Sequence, residues 1–123
     1  VVQALQVVND KTEGSAFSDI GPLAYFVNLK SLYFNSNLIA DLRPLSGLTK
    51  LKSLDIGFNQ VADLSPLAGL TQLESLKLHN NLITDVSPLA GLANLRELWL
   101  NENPVTDFSP LEEILPNLTS RDF

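Results

Sequence analysis

Four consecutive stretches of this chain are copies of one another, and self-similarity at a fixed period constrains a fold more tightly than any local propensity. Residues 29–50 read LKSLYFNSNLIADLRPLSGLTK, 51–72 read LKSLDIGFNQVADLSPLAGLTQ, 73–94 read LESLKLHNNLITDVSPLAGLAN and 95–117 read LRELWLNENPVTDFSPLEEILPN. The period is 22 residues, broken only in the last copy by one extra residue near Leu115 and Pro116. A unit this short cannot bury its apolar face alone, so the copies must stack and share a core.

Within each copy the first half alternates. Leu29, Leu51, Leu73 and Leu95 form one apolar column, Leu32, Leu54, Leu76 and Leu98 a second, and Phe34, Ile56, Leu78 and Leu100 a third. Period-two alternation over a short run is the mark of a strand with one buried face. Parallel strands are expected near 30–36, 52–58, 74–80 and 96–102. The second half buries Ile39, Val61, Ile83 and Val105, then Leu42, Leu64, Val86 and Phe108, then Leu45, Leu67, Leu89 and Leu111. Ser-Pro before Leu67, Leu89 and Leu111 reads as a cap followed by a residue suited to a first helical position. So few residues predict a 3₁₀ turn rather than a long helix.

Two polar columns accompany the apolar ones. Asn37, Asn59, Asn81 and Asn103 fall where the chain must leave the strand inside the solenoid, and an amide both donates and accepts, so these residues read as a structural ladder. Asp19, Asp41, Asp63, Asp85 and Asp107 each precede a Gly, Arg or Ser by two residues, a spacing suited to capping the turn's amides. No copy holds the dense carboxylate spacing of a calcium loop, so no metal site is expected.

The ends depart from the pattern. Val2, Leu5, Val7 and Asp10 imitate the first half of a copy, Asp19, Ile20, Pro22, Leu23 and Phe26 match the second half, and KTEGSAFS at 11–18 reads as a loop between them. Residues 1–28 are therefore expected to form a degenerate turn that helps close one end of a single domain spanning 1–123. Residues 118–123 begin a fifth copy in which Arg121 stands at a leucine position and Phe123 at the next inward one. This reads as a truncated repeat at a cut end.

The pattern L-x-x-L-x-L-x-x-N-x-I followed by D-L-S-P-L-x-x-L resembles the leucine-rich repeat, and its second half resembles the bacterial internalin-type subclass, over Asp19 to Leu118. The resemblance implies an α/β repeat solenoid: a right-handed horseshoe of parallel strands and 3₁₀ turns, with the strands on the concave side. It also implies a bacterial cell-surface or secreted protein, adhesin-like, that binds other proteins. Two alternatives stand beside it. One is a cytoplasmic scaffold like the 22-residue-repeat regulators of protein phosphatases, which resemble only the first half of each copy. The other is a carbohydrate-binding module.

Charge and composition narrow the partners. With 14 acidic against 8 basic residues and a net charge of −6, the chain lacks the basic footprint of a nucleic-acid binder. Anionic membranes are disfavoured for the same reason. There is no cysteine, hence neither disulfide nor thiolate metal site. No apolar run approaches the roughly 20 residues of a membrane span, and Val1 opens no recognisable signal sequence, so the chain reads as a mature or excised fragment. No cofactor-binding motif is present. The one histidine, His79, has Asp55 and Ser53 as its nearest imaginable partners. Strand geometry sets these roughly 7 Å or more apart, beyond the reach a nucleophile and base require. An enzyme is not expected.

Function is expected on the outward strand positions, which vary while the core columns repeat. The third position holds Ser31, Ser53, Ser75 and Glu97, and the fifth Tyr33, Asp55, Lys77 and Trp99. The seventh holds Asn35, Gly57, His79 and Asn101, and the eighth Ser36, Phe58, Asn80 and Glu102. Exposed rings around a charged pair make a typical protein-binding anchor set. The candidate contact residues are Tyr33, Asp55, Phe58, Lys77, His79, Glu97 and Trp99, with Asp55 and Lys77 expected as cross-strand neighbours. The competing reading of Phe58 and Trp99 is that their rings simply cover the adjacent strand.

Overall fold

The computed structural model describes residues 3–6 and 17–123. The readings made of Val2, Val7 and Asp10, and most of the 11–18 loop, lie outside them. Six strands, β1 (Ala4–Gln6), β2 (Ser31–Tyr33), β3 (Ser53–Asp55), β4 (Ser75–Lys77), β5 (Glu97–Trp99) and β6 (Ser120–Arg121), form one parallel sheet in sequential order. Leu5, Leu32, Leu54, Leu76, Leu98 and Arg121 align across it, so the degenerate first copy and the last residues keep the expected register. Opposite the strands lie 3₁₀ turns at Gly21–Tyr25, Arg43–Leu45, Ser65–Leu67, Ser87–Leu89, Ser109–Leu111 and Leu115–Asn117. No α-helix occurs among the described residues. The product is a leucine-rich repeat horseshoe with strands lining its concave side.

The strands are shorter than the seven residues expected. The eighth residue of each copy, Ser36, Phe58, Asn80 or Glu102, has a left-handed backbone, with φ of 61°, 56°, 56° and 56°. That residue turns the chain out of the sheet. Interstrand bonding nonetheless runs up to the bend: Phe34 N donates to Asp55 O at 2.8 Å and Ser36 N to Gly57 O at 2.9 Å, and the next copies repeat this.

Each ladder asparagine holds the bend that follows. Asn59 Nδ2 lies 3.0–3.1 Å from the carbonyls of Phe34, Ile56 and Gly57, while its Oδ1 accepts from Ile39 N at 2.9 Å in the preceding copy. Asn81 and Asn103 repeat the arrangement one and two copies on. Asn37 accepts from Phe17 N, which ties the N-terminal segment to the first regular copy. Phe17 also meets Phe34 edge-on at 6.0 Å, so this end of the expected loop is packed.

The turns are capped differently from the Ser-Pro reading. Serines 65, 87 and 109 are the first residues of their turns, and the residues before them, Leu64, Val86 and Phe108, provide no side-chain cap. The aspartate two residues upstream takes that role. Oδ1 of Asp19, Asp41, Asp63, Asp85 and Asp107 accepts from the backbone N of Gly21, Arg43, Ser65, Ser87 and Ser109 at 2.8–2.9 Å.

The core is the stack of apolar columns. Leu29, Leu51, Leu73 and Leu95 are fully buried, as are Leu45, Leu67, Leu89 and Leu111. Burial of each such side chain contributes about 1.5–3 kcal/mol against the entropy of ordering the chain. Columns loosen at both ends. Phe26, which stands where Leu48 is fully buried in the next copy, is 37% exposed, and Val105 and Phe108 are only partly covered. Phe123 stacks on Phe108 at 5.1 Å, and Asp122 Oδ1 accepts from Leu100 N and Asn101 N where an earlier copy would meet a strand carbonyl.

Candidate functional site on the concave face

Because Leu32, Leu54, Leu76 and Leu98 point inward, their neighbours on the strands point out. Tyr33, Asp55, Lys77 and Trp99 consequently stand side by side on β2 to β5. Tyr33 is 37% exposed, whereas Asp55, Lys77, Glu97 and Trp99 are half-buried.

Asp55 and Lys77 are register partners, as expected, yet they do not pair. Asp55 Oδ1 accepts from Gly57 N at 3.0 Å, a local turn that satisfies the carboxylate. The Lys77 ammonium leans the other way, to 3.8 Å from Glu97 Oε1 and 4.3 Å from the centroid of the Trp99 ring. An indole face attracts a cation through its quadrupole, which adds to the pull of the carboxylate. Glu97 is held in turn by Ser75 Oγ, which donates to Oε1 at 2.5 Å.

Beside this cluster runs a row of rings. His79 meets Phe58 edge-on at 5.2 Å and Trp99 at 5.3 Å. The imidazole lies over the backbone of Gly57, and its Nδ1 is buried with no hydrogen-bond partner among the described residues. Phe58 lies beyond the strand, on the left-handed bend, and is 52% exposed. The left-handed bend recurs in all four copies and belongs to the repeat, so what sets Phe58 apart is a bulky ring at a position that Ser36, Asn80 and Glu102 fill with polar side chains.

Of the seven candidates, Phe58, Lys77, His79, Glu97 and Trp99 come together as one strip, with Asp55 bonded to the glycine beneath His79. Tyr33 stands apart, two strands from the Lys77 cluster, and makes no ring stack with the others. Sequence reasoning overlooked Gly57. Its signal was present, since it is the only seventh-position residue without a side chain, between Asn35 and His79.

Other chemistry finds little support. Asp55 is engaged by Gly57 and His79 Nδ1 has no partner, so Ser53, Asp55 and His79 are not joined by hydrogen bonds. Among the described residues no group of three or more His, Asp or Glu side chains is placed to hold a metal ion. The aspartate column is occupied by its turns. Asp41 is lowered to about 2, first by the Arg43 side chain and then by its amide. Asp63 and Asp85 are lowered by the amide and then the hydroxyl of the following serine, and Asp107 by the Ser109 hydroxyl and then its amide. Shallow hollows of about 330 Å³ beside Pro110 and 280 Å³ beside Pro66 lie among the 3₁₀ turns, away from the strip. No described helix is long and apolar enough to cross a membrane.

Comparison with known proteins agrees with this architecture. A family model described as leucine-rich repeats in two copies matches residues 27–69 and 71–113. Nothing among curated proteins matches. Internalin C2 of Listeria monocytogenes is 47% identical, with a TM-score of 0.83, over 85% of this chain and 46% of its own. Internalin F of the same organism is 37% identical, with a TM-score of 0.91, over 98% of this chain and 34% of its own. A leucine-rich repeat protein of Leptospira interrogans is 22% identical, with a TM-score of 0.77, over 98% of this chain and 37% of its own, a likeness of fold alone. The chain thus spans less than half the length of these proteins.

Proposed function

This chain belongs to the leucine-rich repeat family, with internalin-like repeats, and from that premise we propose that its concave strand face is a non-enzymatic protein-binding surface. The contacts are Tyr33, Asp55, Phe58, Lys77, His79, Glu97 and Trp99, with Tyr33, Phe58 and Trp99 as anchors. The observation that carries this reading is Phe58. Its ring occupies a left-handed backbone position that Asn80 fills more comfortably in the next copy, and it packs against His79 on a face the core does not need. The bend itself belongs to the fold, but an exposed apolar ring at a position that the other copies fill with polar residues is better explained by recognition. Internalin-like repeats further support a secreted or surface-exposed bacterial protein of adhesin type over a cytoplasmic scaffold, because every regular copy from 51 onward carries the D-x-S-P-L half. Sugar stacking is less favoured, since the half-buried Trp99 ring already carries the Lys77 ammonium.

The test is to recover a protein partner by pull-down and measure affinity and melting temperature for Trp99→Ala, Tyr33→Ala and Phe58→Asn. All three should fold, and loss of an anchor ring should weaken binding by roughly 2–4 kcal/mol, thirtyfold to several hundredfold. Thr84→Ala, exposed on the turn side, should bind as the parent does. Normal binding by the ring variants together with a defect in Thr84→Ala would place the interface elsewhere, and binding on a glycan array without a protein partner would favour the carbohydrate reading.

A further inference from the structure

We propose that the β2–β3 end of the concave face, built on Lys30, Ser31, Lys52 and Ser53, receives an acidic peptide segment of the protein partner, an inference that rests on the protein-binding reading above. The chain carries a net charge of −6, yet its charges are segregated. Between Leu29 and Leu54 stand Lys30, Arg43, Lys50 and Lys52 against Asp41 alone, and Asp41 is taken by Arg43 at 2.8 Å on the turn side. Lys52 N and Ser53 N both donate to Lys30 O, at 2.8 and 3.1 Å, which stacks the two lysines on adjacent strands. Lys50 Nζ reaches back to Asn28 Oδ1 at 2.7 Å, so a third ammonium is held beside a residue only two before Lys30 in the chain. Like charges opposite one another on neighbouring strands oppose folding. Lys30 and Lys52 are exposed, and neither has an ion-pair partner among the described residues. Glu74 follows Lys52 in the same column without pairing with it.

Two copies further along, the chain itself fills the equivalent place with a carboxylate. Ser75 Oγ donates to Glu97 Oε1 at 2.5 Å, and Lys77 Nζ approaches the same oxygen at 3.8 Å. A carboxylate from the following copy thus sits on a third-position serine beside a lysine. Ser31 and Ser53 hold the third position of their own copies, in register with one another and with Ser75, but the residue across the sheet from each is a serine rather than a glutamate. Both are half-buried, and their hydroxyls make no hydrogen bond among the described residues. Here the lysine precedes the serine instead of following it by two, and the donors are the same, an ammonium and a hydroxyl. Asp55, the one carboxylate on β2 and β3, is satisfied by Gly57 N. Ionised donors give a carboxylate its stronger hydrogen bonds, so what this place lacks is an acid from outside. A short acidic segment suits it better than a membrane or a nucleic-acid duplex, because an extended polyanion would also meet the exposed Glu74 and Glu102 on the following copies.

The probe is a fluorescently labelled hexaglutamate peptide, with hexalysine and a neutral Gly-Ser hexamer as controls, titrated against the full chain by anisotropy while amide NMR shifts locate the contact. Hexaglutamate should bind, the controls should not, and the largest shifts should fall at Lys30, Ser31, Lys52 and Ser53. Raising salt from about 0.05 to about 0.5 M should weaken binding, since exposed charges are screened. Lys30→Gln combined with Lys52→Gln should lower affinity about tenfold. Ser53→Glu should abolish binding, because it lends Ser31 the carboxylate that Glu97 lends Ser75. Circular dichroism checks that each variant folds, and should one fail to fold, the shift map of the unmodified chain decides alone. Absence of binding, shifts centred elsewhere, equal binding of hexalysine, indifference to salt, or undiminished affinity in either folded variant would each overturn the proposal. Preference of the same residues for phosphatidylserine vesicles or duplex DNA over the peptide would overturn it too. No protein partner enters the experiment, so its failure leaves the concave-face reading to the Trp99 and Tyr33 variants, and failure of those variants leaves the peptide result intact.

Discussion

Gly57 lies beneath the imidazole of His79, at the equivalent position one copy earlier, and the absence of its side chain is what gives that ring a seat. Gly57→Ala should therefore force either the ring outward or the two copies apart. Overpacking of this kind costs about 1–3 kcal/mol. The melting temperature should fall and Trp99 emission should shift to longer wavelength, since Trp99 contacts the displaced ring. A variant with unchanged melting and emission would contradict the contact.

The asparagine ladder should grade by burial. In Asn59→Ala the Ile39 amide and the carbonyls that Asn59 serves lose a partner inside the core. At about 1–3 kcal/mol for each buried group left unpaired, the loss should exceed 3 kcal/mol and threaten folding. Asn103 makes the same set of bonds but is only half-buried, so water replaces part of what Asn103→Ala removes. Denaturant unfolding of both variants should rank Asn59 as the more damaging; the reverse order would count against the ladder as a core element.

The aspartate column should appear in the acid limb of stability. Folded-state values for Asp41, Asp63, Asp85 and Asp107 are depressed, Asp41 to about 2. Folding is therefore favoured while these groups are ionised above the unfolded value of about 3.9, and that contribution is lost as pH falls toward the folded values. The melting temperature should decline between about pH 4 and pH 2. In Asp63→Asn with Asp85→Asn the amide oxygen still accepts from the turn but carries no charge, so melting at neutral pH should already be lower by about what the parent loses at these two positions on acidification, and the acid decline should be shallower. An identical decline in the double variant would remove these residues from the explanation.

Lys77→Glu should act on recognition more than on folding. It exchanges an ammonium held by Glu97 and Trp99 for a carboxylate between Asp55 and Glu97. The original pair is partly exposed and contributes under about 1 kcal/mol. Reversed charge at the centre of the strip should slow association with an unchanged protein partner and alter its salt dependence. Stopped-flow association at low and high salt is the measurement, and equal rates for both proteins would remove Lys77 from the interface.

The repeat itself was legible because its information is one-dimensional. A 22-residue period with leucine, asparagine and aspartate in fixed columns dictates which side chains stack on which, so register, core, ladder and turn positions follow from counting. Even Arg121 falls opposite Leu98 as the count requires. Tyr33, Asp55, Lys77 and Trp99 could be placed on one outward row for the same reason. What each does there depends on side-chain torsions and on competition among neighbours at similar distances, neither of which periodicity encodes. Lys77 has a carboxylate on each side, and tertiary structure decided for Glu97 because Gly57 N already occupies Asp55 and the Trp99 face lies on the Glu97 side. It likewise decided that the strands stop short of a left-handed residue that bends the chain, and that a missing side chain at Gly57, rather than any motif, creates the seat for His79.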